Sequence, residues 1–231
     1  MNIYSQWAEL SPYLKALSFQ EKCVSNILSK NANKKVVYVL AGSHPSVVTS
    51  GLRSQGDQDF SYKEKLLQKH FFFTKVNRGG AVTLHMPGQL VVYPILALDV
   101  FDLGIKDWVD FLKTSFAKVI SKKYGLKLNA KQDGLYFKGK KMLFIGLRVK
   151  KRVSYHGISL NVNNNLESFS WIKPCGQDNL PVTSLCEELG FEANLKEIYQ
   201  NWLEHLKIFL IAKTGLSYEQ IKHINKHENG I

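Results

Sequence analysis

Residues 139–162, GKKMLFIGLRVKKRVSYHGISLNV, predict two neighbouring β-strands. The segments MLFIGLRV and VSYHGISLNV combine β-branched and aromatic residues in the proportion that strands favour. The basic residues 150–152 lie between them and mark the junction of the two strands. With the preceding GLYF, they predict a β-rich section over residues 134–162, and this section decides the fold expected for the chain.

More strands are expected on the N-terminal side of this section. The run VVYVLAG at 36–42 is bounded by polar residues and glycine, which is typical of a buried strand. Two further strands are predicted at 81–84 and 90–96. The glycine- and serine-rich stretch after residue 42 is expected to include a loop over the sheet.

Helices are predicted on either side of these strands. Apolar residues at helical spacing favour helices over 13–30, which buries Cys23, and over 105–123. Ser184 with Glu187 forms a capping-box pattern that opens a short helix. Asn194 with Glu197 opens a longer helix that ends near residue 213, and the polar last residues are expected to fray.

Composition limits the class of protein. The chain has 231 residues, of which 45% are apolar, and contains no repeat or linker, so we expect one domain over 1–231 with a C-terminal helical segment over 191–231. Three cysteines are too few for a disulfide framework, and they predict reduced thiols in the cytoplasm. The N-terminus has no signal-peptide pattern, and the apolar runs fall short of the roughly 18 residues that suggest a membrane span.

The net charge of +12 predicts a positive field that attracts an acidic protein, anionic lipid or nucleic acid. No aromatic-rich nucleic-acid signature accompanies the basic residues. A basic stretch of this kind is also the ordinary solvated face of a strand. Charge alone therefore does not choose the partner.

Cys175 lies between Pro174 and Gly176, a setting that suits an exposed turn better than a core strand. An unpaired cysteine is most often a small buried apolar residue. In a turn, however, its thiol could act as a nucleophile, and a nearby cation would favour the reactive thiolate. Cys175 is the candidate nucleophile.

Lys141 precedes the apolar run MLFI and follows Lys140. A lysine at the start of a strand is usually a solvated side chain. Partial burial and a neighbouring like charge would both lower its pKa, as a base acting near neutral pH requires. Lys141 is the candidate general base and acid.

Residues 78–89 read RGGAVTLHMPGQ. The paired glycines lack side chains and would let a ligand approach the main chain, although a simple turn explains them equally well. Further on, Ser154, His156 and Gly157 form a Ser-x-His-Gly string, and PVTSL occupies 181–185.

Taken together, these strings resemble the lipoyl(octanoyl) transferases. The similarity includes RGGxVTxHxPGQ at 78–89, the Lys141-x-x-x-Ile145-Gly146 pattern, Ser154-x-His156-Gly157, Pro-Cys-Gly and VTSL, and it extends over about residues 19–190. Met86 departs from the small residue usual before that proline, which leaves the acyl length open.

The resemblance implies an α/β (α+β) fold, a mixed β-sheet flanked by helices, of the biotin and lipoate protein ligase kind. It implies that Cys175 carries the acyl group as a thioester, that Lys141 moves the protons, and that no metal or nucleotide cofactor is needed. The substrate-binding residues that it implies are Arg78, Gly79, Gly80, Val82, Thr83, His85, Gly88, Gln89, Gly146, Ser154, His156 and Gly157.

The implied donor is octanoyl-acyl carrier protein. The implied acceptors are the lipoyl domains of 2-oxoacid dehydrogenases and the glycine cleavage H protein. Neither nucleic acid nor a membrane is expected as a partner, and a monomer is expected. Three alternatives stay open: an ATP-dependent lipoate or octanoate ligase, an amidotransferase acting between lipoyl domains, and a non-catalytic basic binding module.

Overall fold

The computed structural model describes residues 1–29, 35–174 and 177–226. Within these ranges the strands are β1 (Asn2–Ala8), β2 (Val36–Gly42), β3 (Val47–Ser50), β4 (Phe72–Lys75), β5 (Val82–His85), β6 (Gln89–Ala97), β7 (Asn129–Lys131), β8 (Gly134–Phe137), β9 (Lys140–Lys150), β10 (Val153–Asn161) and β11 (Lys222–Lys226). Eight of them form one mixed sheet in the order β11-β1-β2-β6-β10-β9-β8-β7. Strand β1 is parallel to both neighbours, and the other pairs are antiparallel.

The helices are α1 (Tyr13–Leu28), α2 (Lys63–Gln68), α3 (Ile105–Tyr124), α4 (Leu185–Leu189) and α5 (Leu195–Thr214). Helix α1 packs on one face of the sheet against β2, β6 and β10. Helices α3 and α5 cover the other face, where Trp108, Phe116 and Trp202 are completely buried. Strands β6 and β10 are buried along their whole length because both of their faces are covered.

A second sheet, in the order β4-β3-β5, lies beside this layered core. Its residues Val48, Val82 and Leu84 belong to one cluster with Phe144 of β9, Phe169 and Trp171. The Phe144 and Phe169 rings stack with their centroids 5.4 Å apart. Strand β9 therefore borders both the main core and the second core, and the space between the two sheets opens beside it.

Most elements predicted from the sequence are confirmed. The two strands over 139–162 are β9 and β10, and the basic residues between them form the turn, in which Lys151 and Arg152 have positive φ angles of 47° and 65°. Helix α1 ends at Leu28, and residue 30 lies outside the described residues. Ser184 and Asn194 cap their helices as predicted, each accepting a hydrogen bond from a main-chain N–H three residues on.

Three segments differ from the prediction. The stretch after residue 42 contains β3, a strand that was not predicted. The predicted fraying of residues 223–231 is wrong for residues 223–226, which lie in β11 after helix α5, so the 191–231 segment is not wholly helical. Residues 227–231 lie outside the described residues. Strand β1, for which no element was predicted, covers the edge of β2. Strands β1 and β11 both owe their structure to pairing rather than to an apolar pattern.

Candidate active site

A groove opens on the face of the large sheet that is covered by α1 and the second sheet. The empty space within it, counted together with the open solvent at its mouth, is about 480 Å³. Its lining residues are Tyr13, Arg78, Gly79, Gly80, Ala81, Val82, Thr83, His85, Val91, Tyr93, Phe144, Ile145, Gly146, His156, Gly157, Ile158 and Ser159. Hydrocarbon side chains and main chain dominate this surface, so the groove suits an apolar ligand.

The absence of a side chain at Gly146 lets the 78–80 loop approach the sheet. Gly146 of β9 pairs with Gly157 of β10. A Cβ atom on Gly146 would lie 3.1 Å from Cδ of Arg78 and 3.3 Å from the carbonyl oxygen of Gly79. The Gly79 N–H donates to the Leu147 carbonyl over 3.0 Å. The loop therefore forms one wall of the groove in direct contact with β9.

The guanidinium group of Arg78 fixes the other side of this loop. Its Nη2 donates to the Thr49 carbonyl over 2.5 Å, and its Nε donates to the Thr49 hydroxyl over 3.0 Å. Nη1 donates to the Gly79 carbonyl over 2.9 Å. Arg78 is 6% exposed, so a buried positive charge lies at the wall of the groove.

A chain of side-chain amides connects the groove to the 181–185 segment. The Nδ1 of His85 bonds to Oε1 of Gln89 over 2.8 Å, and Nε2 of Gln89 donates to Oδ1 of Asn161 over 3.0 Å. Nδ2 of Asn161 then donates to the Thr183 carbonyl over 3.1 Å. Because Oε1 of Gln89 can only accept, the proton of His85 lies on Nδ1, and Nε2 keeps a lone pair. Burial first, and then the charge of His44, lower the pKa of His85 to about 3.

His156 occupies a strained backbone conformation in the middle of β10, with a φ of 55°. Its main-chain N–H donates to Oε1 of Gln20, and its Nε2 bonds to Oδ1 of Asn77 over 2.8 Å. Its Nδ1 and the hydroxyl of Thr83 are buried without a hydrogen-bond partner in the structure. Burial, and then the charge of Arg78, lower the pKa of His156 to about 3, so the imidazole is neutral at physiological pH.

Lys141 is completely buried beside the groove. Its Nζ lies 2.6 Å from Oδ2 of Asp133 and 4.8 Å from the ring centroid of Phe144, a lining residue. Its main-chain N–H donates to the Pro181 carbonyl over 2.7 Å, and its carbonyl accepts from the N–H of Thr183 over 3.0 Å. The predicted catalytic lysine is thus held between the groove and the PVTSL segment. The solvated alternative for this lysine is wrong, because the side chain has no exposed surface.

The groove brings together most of the residues that the sequence predicted for substrate binding, and three of them lie elsewhere. Gln89 accepts a hydrogen bond from His85 and does not itself line the groove. The hydroxyl of Ser154 accepts from the indole N–H of Trp108 in the core under α3, on the opposite face of the sheet. Gly88 lies in a turn, and its carbonyl accepts a hydrogen bond from the Asn163 N–H. Cys175, like Gly176, lies outside the described residues.

Sequence reasoning missed two residues that matter here. Asp133 lies in the turn between β7 and β8, and no local pattern shows that this turn reaches Lys141. Tyr13, at the start of α1, stacks on His85 with ring centroids 5.7 Å apart. Both contacts join segments from different elements, so only the folded chain shows them.

Met86, whose size left the acyl length open, is 5% exposed and packs in the second core with Phe144. The groove lining does not include it. Its influence on the groove is therefore indirect, through the position of Phe144. Within residues 1–29, 35–174 and 177–226, no group of three His, Cys, Asp or Glu residues could hold a metal ion, and no helix is long and apolar enough to span a bilayer.

Solved structures with the same architecture define the class to which this fold belongs. A lipoate protein ligase from Thermoplasma acidophilum superposes with a TM-score of 0.71 over 100% of this chain and 88% of that chain, at 12% identity. A biotin protein ligase from Aquifex aeolicus gives a TM-score of 0.53 over 95% of this chain and 74% of that chain, at 17% identity. The predicted fold, a mixed sheet with helices of the biotin and lipoate protein ligase kind, is confirmed.

Sequence comparison narrows that class. The family model described as the lipoyl protein ligase A/B catalytic domain matches residues 12–207. An octanoyltransferase from Caldicellulosiruptor saccharolyticus is 36% identical over 224 residues, which cover 95% of this chain and 94% of the relative. One from Bacteroides fragilis is 33% identical over 220 residues, covering 91% and 99%. The chain therefore belongs to the lipoyl protein ligase A/B catalytic domain family and, within it, to the octanoyltransferases.

Proposed function

We propose that this chain moves an octanoyl group from octanoyl-acyl carrier protein to a lysine of a lipoyl domain through a thioester on Cys175. The observation that carries the proposal is the position of Lys141. A completely buried lysine lies against a ring that lines an apolar groove, and its main chain is bonded to the segment that follows Cys175. A proton carrier and an acyl-binding surface are thus adjacent.

The reaction has two halves that return Lys141 to its starting state. First, the neutral amine of Lys141 takes the proton of the Cys175 thiol, and the thiolate attacks the acyl carbon. The bond between that carbon and the carrier's sulfur breaks, and the carrier leaves as a thiol with the proton from Lys141. Next, the amine of the acceptor lysine attacks the Cys175 thioester and gives up its proton through Lys141 to the departing cysteine sulfur.

The groove supplies the binding energy for the acyl tail. Ile145, Ile158 and Val91 line it with hydrocarbon surface. Burial of apolar surface stabilises a complex by about 25 cal/mol per Å². No nucleotide is needed, because the thioester already activates the acyl group.

The exposed turn between β9 and β10 supports the choice of partners. Lys150 and Lys151 are exposed there, at the end of the same strand that begins with Lys140 and Lys141. A basic surface speeds encounter with an acidic partner, and the effect weakens as salt increases. We infer that an acidic acyl carrier protein and the lipoyl domains of 2-oxoacid dehydrogenases or the glycine cleavage H protein dock near this turn, in the cytoplasm.

The first test is the intact mass of the protein after incubation with octanoyl-acyl carrier protein in the absence of ATP. We expect one octanoyl group on the native chain, released by hydroxylamine and absent from Cys175→Ala. Cys186→Ala is the matched control, because Cys186 lies in α4 and is partly exposed, and this variant should gain the group.

Two outcomes would contradict the proposal. If a lipoyl domain is modified only when ATP and free octanoate are supplied, the chain is a ligase. An octanoyl group that moves only between two lipoyl domains would indicate an amidotransferase. Repeating the acylation at rising ionic strength tests the basic surface, since a rate that does not depend on salt would exclude it.

A further inference from the structure

The turn between β7 and β8 places a carboxylate against the proposed proton carrier. Oδ2 of Asp133 lies 2.6 Å from Nζ of Lys141. The hydroxyl of Tyr136 donates to the same carboxylate, 3.0 Å from Oδ2 and 3.1 Å from Oδ1. The contact is asymmetric in exposure, because the Lys141 side chain is completely buried and the Asp133 side chain is 35% exposed.

Glycine at position 134 is what lets this turn approach so closely. A Cβ atom there would lie 1.9 Å from the Leu143 carbonyl oxygen and 3.0 Å from Cε of Lys141. No side chain can be accommodated against a main-chain oxygen at that distance. The turn therefore packs directly against β9, and this close packing brings the Asp133 carboxylate to Nζ of Lys141.

The contact has a chemical consequence. A lysine that takes a proton in a buried site gains a positive charge, which is costly unless a counter-ion is present. The Asp133 carboxylate lies where that charge forms. It also fixes the direction of Nζ, since a charged hydrogen bond is short and directional.

We propose that Asp133 is a positioning residue for acyl transfer: it orients Nζ of Lys141 and compensates the charge that Lys141 gains when it takes a proton, while Tyr136 holds the carboxylate in place. This inference rests on the proposed role of Lys141. In this role Asp133 acts through Lys141.

Other charged groups surround the pair and share its field. From β9, Lys140 lies 3.6 Å from a carboxylate oxygen of Glu188 and 3.8 Å from one of Glu187, both in α4. From β7, Nζ of Lys131 lies 4.3 Å from the ring centroid of Tyr136. From α3, Lys113 donates to the Lys131 carbonyl. None of these groups replaces the direct contact of Asp133 with Lys141.

The test is the rate of octanoyl adduct formation against pH, measured by intact mass in a single turnover. In Asp133→Asn, the protonated form of Lys141 loses its counter-ion. We expect the ascending limb of the profile to move about one unit toward acid and the plateau to fall about tenfold. Tyr136→Phe, which keeps the carboxylate, should move the limb in the same direction by less than half as much.

Two controls separate this role from a structural one. Asp133→Glu retains the charge and should restore the position of the limb, even at a reduced rate. Asp57→Asn removes a carboxylate from the exposed ion pair with Lys63 and should leave the profile unchanged.

An ascending limb that stays at the native pH in Asp133→Asn overturns the inference, whatever the plateau does. Failure of the underlying function has a different signature, because the native protein itself would then form no adduct with octanoyl-acyl carrier protein. Urea unfolding of each variant shows whether the rates come from folded protein.

Discussion

At the scale of single residues, Gln89 joins two motifs that are far apart in the chain. Its partner Asn161 lies 72 positions away, and its other partner, His85, lies four positions away. The side-chain amides of Gln89 and Asn161 each have only one orientation that satisfies their hydrogen-bond partners, because the amide oxygen accepts and the amide nitrogen donates. The result is a single tautomer for His85 at the groove.

Replacing Gln89 with leucine should therefore destabilise the protein. The change leaves Nδ1–H of His85 and Oδ1 of Asn161 each with one partner fewer in a buried place. We expect the free energy of unfolding in urea to fall by about 2–4 kcal/mol. Gln200→Leu, at an exposed position in α5, is the control and should change it by less than about 0.5 kcal/mol. Equal midpoints for the two variants would contradict the role given to the amide chain.

The residues of the site were predictable to different degrees. The string from Arg78 to Gln89 identified the loop and His85 because it matches the pattern of the lipoyl(octanoyl) transferases at each defined position. The depth of Lys141 was only partly predictable, since the apolar run after it favoured burial but a lysine at a strand start is usually solvated. Asp133 could not be predicted, because its role depends on a turn meeting another strand.

At the scale of elements, β9 connects three parts of the site along its 11 residues. Lys141 is near its start, Gly146 in its middle, and Lys150 at its end. The strand therefore sets the spacing between the proposed proton carrier, the loop wall and the basic turn. A small shift of the loop against this strand should affect activity more than stability.

The variant Gly146→Ala tests that expectation. Its Cβ would be tight against Cδ of Arg78 and the Gly79 carbonyl, so the loop must move by a few tenths of an ångström. We expect kcat/KM with octanoyl-acyl carrier protein to fall about tenfold, since small displacements at a site are costly. The free energy of unfolding, measured on the same preparation, serves as control and should fall by less than about 1 kcal/mol. An unchanged kcat/KM would show that the loop wall does not position the substrate.

Elements with strong patterns were predictable, and elements made by pairing were not. The β-branched runs were sufficient to predict β2 and β6, and the helical spacing of apolar residues was sufficient to predict α3. Strand β11 contains Lys222, His223 and Asn225, residues that favour turns or surfaces. It forms because hydrogen bonds to β1 are available, and Ser5 bonds to the side chains of His223 and Asn225.

At the scale of the whole molecule, three buried histidines make stability depend on pH. Burial lowers the pKa of His44 to about 4, and burial also lowers the pKa values of His85 and His156 to about 3. Their pKa in the unfolded chain is about 6.5. Below pH 6.5 the unfolded chain binds protons that the folded chain does not, so stability is complete above that pH and is lost as pH falls toward 4.

We expect the free energy of unfolding to be smaller at pH 5 than at pH 7.5 by about 2 kcal/mol for each of these histidines. Urea unfolding at the two pH values measures the difference. His44→Gln should remove about one third of it. His70→Asn is the control, because His70 is exposed at a φ of 57° that asparagine tolerates, and it should remove none. A free energy that is equal at both pH values would contradict the burial of neutral imidazoles.

The pairing of β11 with β1 has a consequence for synthesis. Strand β1 leaves the ribosome well before β11, which is the last strand of the described chain. Until β11 emerges, the outer edge of β1 presents unpaired N–H and C=O groups, and such an edge recruits strands from other molecules. A nascent chain that stalls after α5 is thus a template for self-association, and translation of the last strand removes that hazard.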